Sequence, residues 1–207
     1  MDRDRSIREA LGDLKASPGP LLPALGAAAQ AAERGKRVLI TLDGPCASGK
    51  TTLAGRLAKA LNAAVLHTDH FVVPHERKTA ERLRVPGRNC DWERLTAEVL
   101  IPWKEGRTGT FRRYDWNVGL MPPELLPEER VMILEGSYCN LPAIRKLADL
   151  RLFMDTPPEV RRQRLEARES PASLIRFDEL WIPLENAYFE AYGLPDEDCY
   201  RVRMTDE

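Results

Sequence analysis

Eight consecutive residues carry the strongest chemical signal in the chain. Residues 44–51 read Gly-Pro-Cys-Ala-Ser-Gly-Lys-Thr and fit the pattern G-x-x-x-x-G-K-[ST] in full. Glycines let such a loop curl until its backbone N–H groups face a phosphate at the positive end of a helix dipole. Lys50 then reaches the β- and γ-phosphates, and the Thr51 hydroxyl lies on Mg²⁺. The motif predicts a nucleoside triphosphate site, with the candidates Gly44, Pro45, Cys46, Ala47, Ser48, Gly49, Lys50, Thr51 and Thr52.

Acidic residues follow three apolar runs that read as strands. Asp69, Glu135 and Asp155 each stand at the end of such a run, and in parallel α/β sheets the groups that act on a ligand lie at the carboxyl ends of the strands. Asp69 is predicted to take the proton of the acceptor or to orient its hydroxyl, and it is also a candidate metal ligand. Glu135 is predicted to hold Mg²⁺ opposite Thr51. The alternative for both is a strand-end cap on a loop amide. Capping is the favoured role for Asp155, because Thr156-Pro157 starts a helix.

Three arginines further along share one helix face. Arg161, Arg164 and Arg168 are spaced three and four apart, which aligns them on a helix. A row of guanidiniums can close over a triphosphate and stabilise charge on the transferred group. Arg161 and Arg164 are therefore catalytic candidates, and Arg168 is an ATP-binding candidate. The alternative is a solvated face neutralised by neighbouring glutamates.

The elements that must position these residues alternate along the chain. Strand-like runs alternate with helical stretches, the strands being 38–42, 64–66, 131–134, 150–154 and 200–202 and the helices 51–61, 91–104, 157–169 and 178–192. This alternation predicts an α/β fold with a mostly parallel, five-stranded sheet flanked by helices.

Two further segments are distinguished by length and composition. Residues 1–36 are expected to form a helical appendage to the main domain, 37–207, and to pack on it or mediate self-association into a homo-oligomer. The arginine-rich, aromatic stretch between the second and third strands is too long for a simple crossover. It therefore predicts an inserted acceptor-binding region at about 70–130, and a lid is expected at about 157–172.

Composition narrows the classes of protein that the chain can represent. Its 207 residues are 43% hydrophobic and 30% charged, as is typical of a soluble globular protein. A net charge of -1 argues against a protein that coats nucleic acid or an anionic membrane. The four cysteines form no Cys-x-x-Cys pair, and the charged N-terminus is unlike a secretory signal. We therefore expect a cytoplasmic protein with a small-molecule partner.

The chain resembles the uridine kinase-like branch of small P-loop kinases, which also includes the nicotinamide riboside kinases. The resemblance covers about 37–200. Besides the phosphate loop it rests on the motifs His67-Thr68-Asp69-His70-Phe71, Gly87-Arg88-Asn89-Cys90-Asp91-Trp92-Glu93-Arg94, Tyr114-Asp115, Leu134-Glu135-Gly136-Ser137-Tyr138, Asp155 to Arg168, and Trp181 to Phe189. Related sequences often carry Asp and Phe where this chain has His70 and Val72.

The resemblance implies a P-loop NTPase fold, and a role for several residues. It makes Asp69 the catalytic base, assigns Glu135 to Mg²⁺, and makes the arginine row a lid over the nucleotide. Asp91 matches an aspartate that holds ribose hydroxyls, Tyr114 matches a tyrosine of the base pocket, and Arg88 is a further substrate-binding candidate.

The activity that this resemblance implies is Mg²⁺-dependent transfer of the ATP γ-phosphoryl group to a nucleoside 5′-hydroxyl. Nicotinamide riboside, pantothenate and another non-nucleoside alcohol are the alternative acceptors. A regulatory P-loop ATPase without an acceptor is the alternative from another class.

Overall fold

A computed structural model describes residues 3–12, 14–17, 20–74 and 77–203 of the chain. Positions 1, 2, 13, 18, 19, 75, 76 and 204–207, which fall within the predicted segments 1–36 and 37–207, lie outside the described residues. The described strands are β1 (Lys15–Ser17), β2 (Val38–Asp43), β3 (Ala63–His67), β4 (Thr110–Phe111), β5 (Tyr114–Asp115), β6 (Gly119–Leu120), β7 (Glu124–Leu125), β8 (Val131–Glu135), β9 (Leu150–Met154) and β10 (Tyr200–Arg203).

Helices of varied length connect these strands. The described helices are α1 (Arg3–Leu11), α2 (Leu21–Glu33), α3 (Lys50–Leu61), α4 (Ala80–Leu83), α5 (Trp92–Arg94), α6 (Ile101–Lys104), α7 (Pro142–Arg145), α8 (Pro158–Arg168), α9 (Pro171–Arg176) and α10 (Ile182–Tyr192). A 3₁₀ turn at Thr68–Phe71 follows β3. Wide π-helical turns at Leu95–Leu100 and Phe177–Trp181 join α5 to α6 and α9 to α10.

The central sheet has the strand order β1-β10-β9-β2-β8-β3. Its last five strands are parallel, and β1 is antiparallel to β10 at the edge. The predicted α/β fold with a mostly parallel sheet is therefore confirmed, and the five predicted strands are its five parallel strands. The sixth strand was not predicted, because Lys15-Ala16-Ser17 contains no apolar run.

Strand β2 lies at the centre of the sheet and is buried along its whole length. Successive side chains of a strand point to opposite faces, so Leu39 and Ile40 enter different hydrophobic cores. The first core contains Ile40 and is closed by α1, α2 and α3. The second contains Leu39 and is closed by helical residues such as Trp103 and Tyr188. Continuous apolar sequence in β2 is thus explained by burial on both faces.

The N-terminal helices are part of the first core. Ile7 of α1 and Leu25 of α2 are both completely buried, and the Glu9 carbonyl accepts a hydrogen bond from Arg56 of α3. These segments cover the face of the sheet from which α3 rises, immediately behind the predicted phosphate loop. The division of the chain at residue 36 stays a prediction.

The segment between β3 and β8 lies over the carboxyl ends of the strands. An isolated bridge joins Val72 to Cys90, and the Asp91 amide donates to the Phe71 carbonyl. Two short hairpin ladders follow, β4 with β7 and β5 with β6. Phe111 of β4 stacks on Phe71 with ring centroids 5.9 Å apart, which fastens the segment to the end of β3.

The packing of α2 makes a testable prediction about stability. Replacing the fully buried Leu25 with Ala is expected to lower the free energy of unfolding by about 2–5 kcal/mol, because the sheet-facing side of α2 then holds a cavity. Gln30→Ala, on the exposed side of the same helix, is expected to change it by less than about 0.5 kcal/mol. Chemical denaturation measures both values. Equal losses from the two variants would show that α2 does not share the core.

Candidate active site

The predicted phosphate loop runs from the end of β2 to the start of α3. Gly44, Ala47 and Gly49 have positive φ angles of 139°, 57° and 98°, which turn the backbone so that it curls on itself. A Cβ on Gly44 would lie 2.7 Å from the Met154 carbonyl of β9, so only glycine fits at that position. Helix α3 has Gly49 at its N-cap position, and Gly49 provides no side-chain cap. Its free amide groups and the helix dipole suit a phosphate group.

Lys50 and Cys46 have distinct surroundings within this loop. The Lys50 Nζ atom donates to the carbonyl oxygens of Gly44 and Pro45, both at 2.8 Å. This holds the ammonium inside the curl of the loop, where a phosphate would bind. Burial, and after it the neighbouring Glu185 carboxylate, raises the pKa of the Cys46 thiol to about 12. Cys46 therefore stays protonated and fills space in the loop.

Asp43, directly before the loop, was missed in the sequence analysis. Its side chain is fully buried and accepts hydrogen bonds from Gly44 N at 2.8 Å, Asn140 N at 2.9 Å and the Tyr188 hydroxyl at 2.7 Å. Burial raises the pKa of Asp43 to about 6, although the Tyr188 hydrogen bond opposes the rise. Two of its donors lie 97 and 145 residues away in sequence, which is why no local pattern identified it.

Glu135 lies at the end of β8, across the cleft floor from the loop. Its Oε1 atom accepts from the Thr51 hydroxyl at 2.9 Å and is 2.5 Å from His67 Nδ1. Burial acts to raise the pKa of Glu135, but the His67 and Thr51 hydrogen bonds outweigh it, so the pKa lies below its ordinary value. The same contact raises the pKa of His67. A hydroxyl beside an ionised carboxylate is a donor set that fits Mg²⁺, which prefers oxygen ligands.

Asp69 lies on the 3₁₀ turn after β3 and lines the same cleft as Lys50, Thr51 and Glu135. Its carboxylate is reached by solvent through the cleft, but the surrounding protein removes much of its hydration. This burial raises the pKa of Asp69, while the Lys50 charge opposes the rise. The structure therefore brings together the loop lysine, the loop threonine and the two strand-end acids that the sequence singled out.

The predicted arginine row lies on α8 and faces the loop. Arg161 Nε donates to the Thr156 carbonyl and Arg164 Nη1 to the Ala47 carbonyl, both at 3.2 Å. Arg164 and Arg168 line a cavity of about 360 Å³ together with residues 47–52. Arg168 also pairs with Glu169, as the alternative of a face neutralised by glutamates expects. The role of this row over a triphosphate stays a prediction.

Asp155 does not cap α8, contrary to the favoured prediction. Its carboxylate pairs with Arg203 at 2.6 Å, and the residue at the N-cap position is Pro157, without a side-chain hydrogen bond. Thr156 instead donates to the Ser48 carbonyl at 2.8 Å. The reason is tertiary: the end of β9 lies against the phosphate loop, so Thr156 is buried against Ser48, and the Asp155 carboxylate is paired with Arg203 of β10.

The three predicted substrate-binding residues do not line the central cleft. Asp91 is completely buried, and its carboxylate accepts from Arg77 at 2.9 Å and from the backbone amide of Arg94. Tyr114 packs edge-on against Trp116, with ring centroids 6.2 Å apart. Arg88 is exposed. Asp91 thus starts α5 and anchors the segment around Arg77.

The central cleft has a volume of about 400 Å³ and opens at the carboxyl ends of β2, β3 and β8. Several of its lining residues were not singled out as site residues from the sequence. They are Asn89, Cys90, Trp116, Ser137, Tyr138, Arg176, Phe177, Trp181 and Glu185. Six of them belong to three motifs quoted above, whereas Trp116, Arg176 and Phe177 belong to none. All nine come from segments that are distant in the chain, so no local pattern groups them.

A phosphate loop between a buried central strand and a helix, on a parallel α/β sheet, defines a P-loop nucleotide-binding protein. The family model described as phosphoribulokinase/uridine kinase family matches residues 39–169, well over half of the chain. The chain belongs to this family, and it is a P-loop kinase. The family resemblance stated from the sequence is thereby confirmed.

Solved structures share the fold at low sequence identity. A proposed uridine kinase from Bacillus stearothermophilus is 20% identical, with a TM-score of 0.56 over 82% of this chain and 92% of that chain. A proposed fructose transport system kinase from Silicibacter sp. TM1040 is 23% identical, with a TM-score of 0.62 over 84% and 97%. YFH7 from Saccharomyces cerevisiae, a proposed P-loop kinase with a circular permutation, is 13% identical, with a TM-score of 0.63 over 91% and 100%.

Two searches give negative results. No curated protein matches the chain significantly. Among the helices of the described residues, none has the length and apolar character needed to cross a membrane.

The buried Asp43 carboxylate predicts a pH dependence of stability. Its folded-state pKa of about 6 lies above its ordinary 3.8, so between these values the folded chain binds a proton that the unfolded chain does not. The contribution of Asp43 is therefore most favourable in acid and is lost as pH rises through about 6. It should change by roughly 2 kcal/mol between about pH 4.5 and about pH 7.5.

Asp43→Asn removes this titration. The difference in unfolding free energy between the unmodified protein and the variant is expected to be larger near pH 4.5 than near pH 7.5. Denaturant titrations at both pH values measure it, with Glu190→Gln on the exposed side of α10 as the control for removing a carboxylate. A difference that does not change with pH would show that Asp43 titrates as it does in the unfolded chain.

Proposed function

We propose that the protein transfers the γ-phosphoryl group of ATP, with Mg²⁺, to a hydroxyl of a small molecule, and that this acceptor is a nucleoside with a free 5′-hydroxyl. One observation carries the proposal: Lys50, Thr51, Asp69 and Glu135 line a single cleft at the carboxyl end of the sheet. A cleft of about 400 Å³ is large enough for a small acceptor beside the loop. The cytoplasmic location expected from the sequence is part of the same proposal.

The residues that would hold ATP and the metal ion follow from the loop geometry. Amides of residues 47–51 would bind the phosphates, with Lys50 at their centre, and the Thr51 hydroxyl and Glu135 would hold Mg²⁺. The ion, when bound, neutralises charge on the phosphates. Arg161, Arg164 and Arg168 on α8 lie beside the loop and would stabilise negative charge on the transferred group.

Asp69 is proposed as the residue that receives the acceptor's proton. The acceptor oxygen forms a bond to the γ-phosphorus as the bond from that phosphorus to the leaving oxygen of ADP breaks, and the hydroxyl proton passes to the Asp69 carboxylate. The raised pKa of Asp69 makes its carboxylate a better proton acceptor than an exposed aspartate. General base catalysis of this kind contributes roughly 10²–10⁴-fold to the rate.

The nucleoside acceptor is supported by the family and by the aromatic lining of the cleft. Trp116, Phe177 and Trp181 line it together, and the two indole rings meet edge-on with centroids 5.6 Å apart. Phe177 and Trp181 stand at the two ends of the π-helical turn. Planar rings of this kind pack well against a heterocyclic base.

The experiment that tests the proposal is release of ADP from Mg-ATP in the presence of candidate acceptors. The panel contains nucleosides, nicotinamide riboside, pantothenate and sugars, with product masses measured. ADP release that depends on a nucleoside, with a product about 80 Da heavier, as expected for a phosphoryl group replacing a proton, supports the proposal. ADP release that depends on a non-nucleoside alcohol would show that this alcohol, and not a nucleoside, is the acceptor. Release that no acceptor stimulates would favour a regulatory ATPase.

Asp69→Asn separates ATP binding from turnover. The variant is expected to bind ATP as tightly as the unmodified protein and to lose roughly 10²–10⁴-fold in kcat, because it cannot take the acceptor's proton. Asp115→Asn, in a hairpin residue outside the cleft lining, is the matched control and should leave kcat unchanged. Steady-state kinetics with nucleotide-binding titrations measure both. An unchanged kcat in Asp69→Asn would remove this residue from the role of base.

A further inference from the structure

Two buried side chains that can accept hydrogen bonds belong to the lining of the central cleft. Glu185 of α10 and Asn89 of the segment between β3 and β8 both line it, and both are about nine-tenths buried, with 6% of their surface exposed. Neither residue takes part in the reaction as proposed above. A buried carboxylate beside a phosphate site is unfavourable in charge, and its presence there calls for an explanation.

Glu185 is held in place by two neutral donors. Its Oε2 atom accepts from the backbone amide of Cys46 at 2.9 Å, and its Oε1 atom accepts from the Ser137 hydroxyl at 2.5 Å. No cation lies within ion-pair distance of Glu185 in the described residues. Each carboxylate oxygen can accept more than one hydrogen bond, so Glu185 keeps accepting capacity toward the cleft.

Asn89 adds a second acceptor to the lining of the cleft. Its side chain interacts with the Tyr138 hydroxyl, and its Oδ1 atom has no hydrogen-bond partner in the part of the chain that the structure describes. A buried polar atom without a partner costs free energy that a ligand donor can recover. The unpartnered amide oxygen of Asn89 is therefore a candidate acceptor for a hydroxyl or N–H group of the ligand.

The positively charged side chains of the cleft lie at the phosphate loop and at the rim. Lys50 is directed into the phosphate loop, and Arg168 lines the loop cavity as well as the cleft. Arg176 is exposed at the rim. An anionic group on the acceptor would thus meet Glu185 and Asp69 inside the cleft, where like charges oppose its binding.

We infer that the acceptor site selects an uncharged, hydroxyl-bearing compound, that Glu185 and Asn89 accept hydrogen bonds from its donor groups, and that the Glu185 charge excludes acceptors that carry a carboxylate or phosphate. The inference rests on the proposed function, since it describes the acceptor side of the same cleft. It separates this chain from a kinase that acts on a sugar phosphate, the other kind of acceptor that the family description names.

Pairs of compounds that differ by one anionic group test the inference. The pairs are uridine with orotidine, pantothenol with pantothenate, and ribulose with ribulose 5-phosphate. For any pair that releases ADP, kcat/KM of the uncharged member is expected to exceed that of the anionic member by at least about tenfold. Glu185→Gln preserves size and one accepting oxygen but removes the charge. It is expected to reduce that preference by about tenfold while leaving the KM for ATP unchanged.

Glu190→Gln, on the exposed side of the same helix, is the matched control and should keep the full preference. A preference for the anionic member, abolished by Arg176→Gln, would overturn the inference. So would a Glu185→Gln variant that keeps the full preference while its KM for ATP rises. In that case Glu185 only supports the Cys46 amide and the phosphate loop.

A binding measurement keeps this test independent of the proposed reaction. The same pairs are titrated into the protein with Mg²⁺ and a non-hydrolysable ATP analogue, and the shift in Tm is recorded. If no compound releases ADP but the uncharged members bind, the proposed function fails and the inference about the cleft stands. If none of the compounds binds, or only the anionic members do, the inference is overturned.

Discussion

The Asp43 carboxylate is the contact on which the rest of the site depends. It sits at the end of the central strand and holds three segments at once: the first amide of the phosphate loop, the Asn140 amide after β8, and the Tyr188 hydroxyl of α10. A buried carboxylate that loses its hydrogen-bond donors costs free energy. The Asp43 contact therefore favours keeping these three segments together. The curl of the loop, the floor of the cleft and its α10 wall are therefore positioned relative to one another by a single side chain.

Positive and negative side chains occupy different parts of the cleft. Lys50 of α3 and Arg168 of α8 lie on the side where the loop amides would bind phosphate, and Arg176 of α9 is exposed at the rim. Carboxylates come from the ends of β3 and β8 and from α10. For two of these acids, hydrogen-bond donors supplied from elsewhere in the chain offset the crowding of negative charge. Glu135 receives them from Thr51 and His67, and Glu185 from Cys46 and Ser137. The hydrogen-bond donors that stabilise these two carboxylates also fix their orientation.

The N-terminal segments support this arrangement from behind. Helices α1 and α2 bury Ile7 and Leu25 in the core layer beneath α3, and β1 extends the sheet by pairing with β10. The phosphate loop needs a rigid helix start and a rigid strand end. Packing on the far side of the sheet contributes to both, although none of the described residues of these segments lines the central cleft.

Local sequence determined the parts of this protein that depend on neighbours in the chain. The apolar run of β2, the eight-residue loop motif and the acids that end β3 and β8 were all readable, because strand burial and phosphate cradling need particular residues at fixed spacing. Sequence also assigned the family. It did not reveal β1, whose three residues become a strand only by pairing with β10. Nor did it reveal that Asp91 accepts hydrogen bonds from Arg77 and from the Arg94 amide at the start of α5 and does not line the cleft. Asp43, Asn89 and Glu185 have partners or neighbours that are far along the chain, so only the tertiary structure decided which side chains surround the cleft.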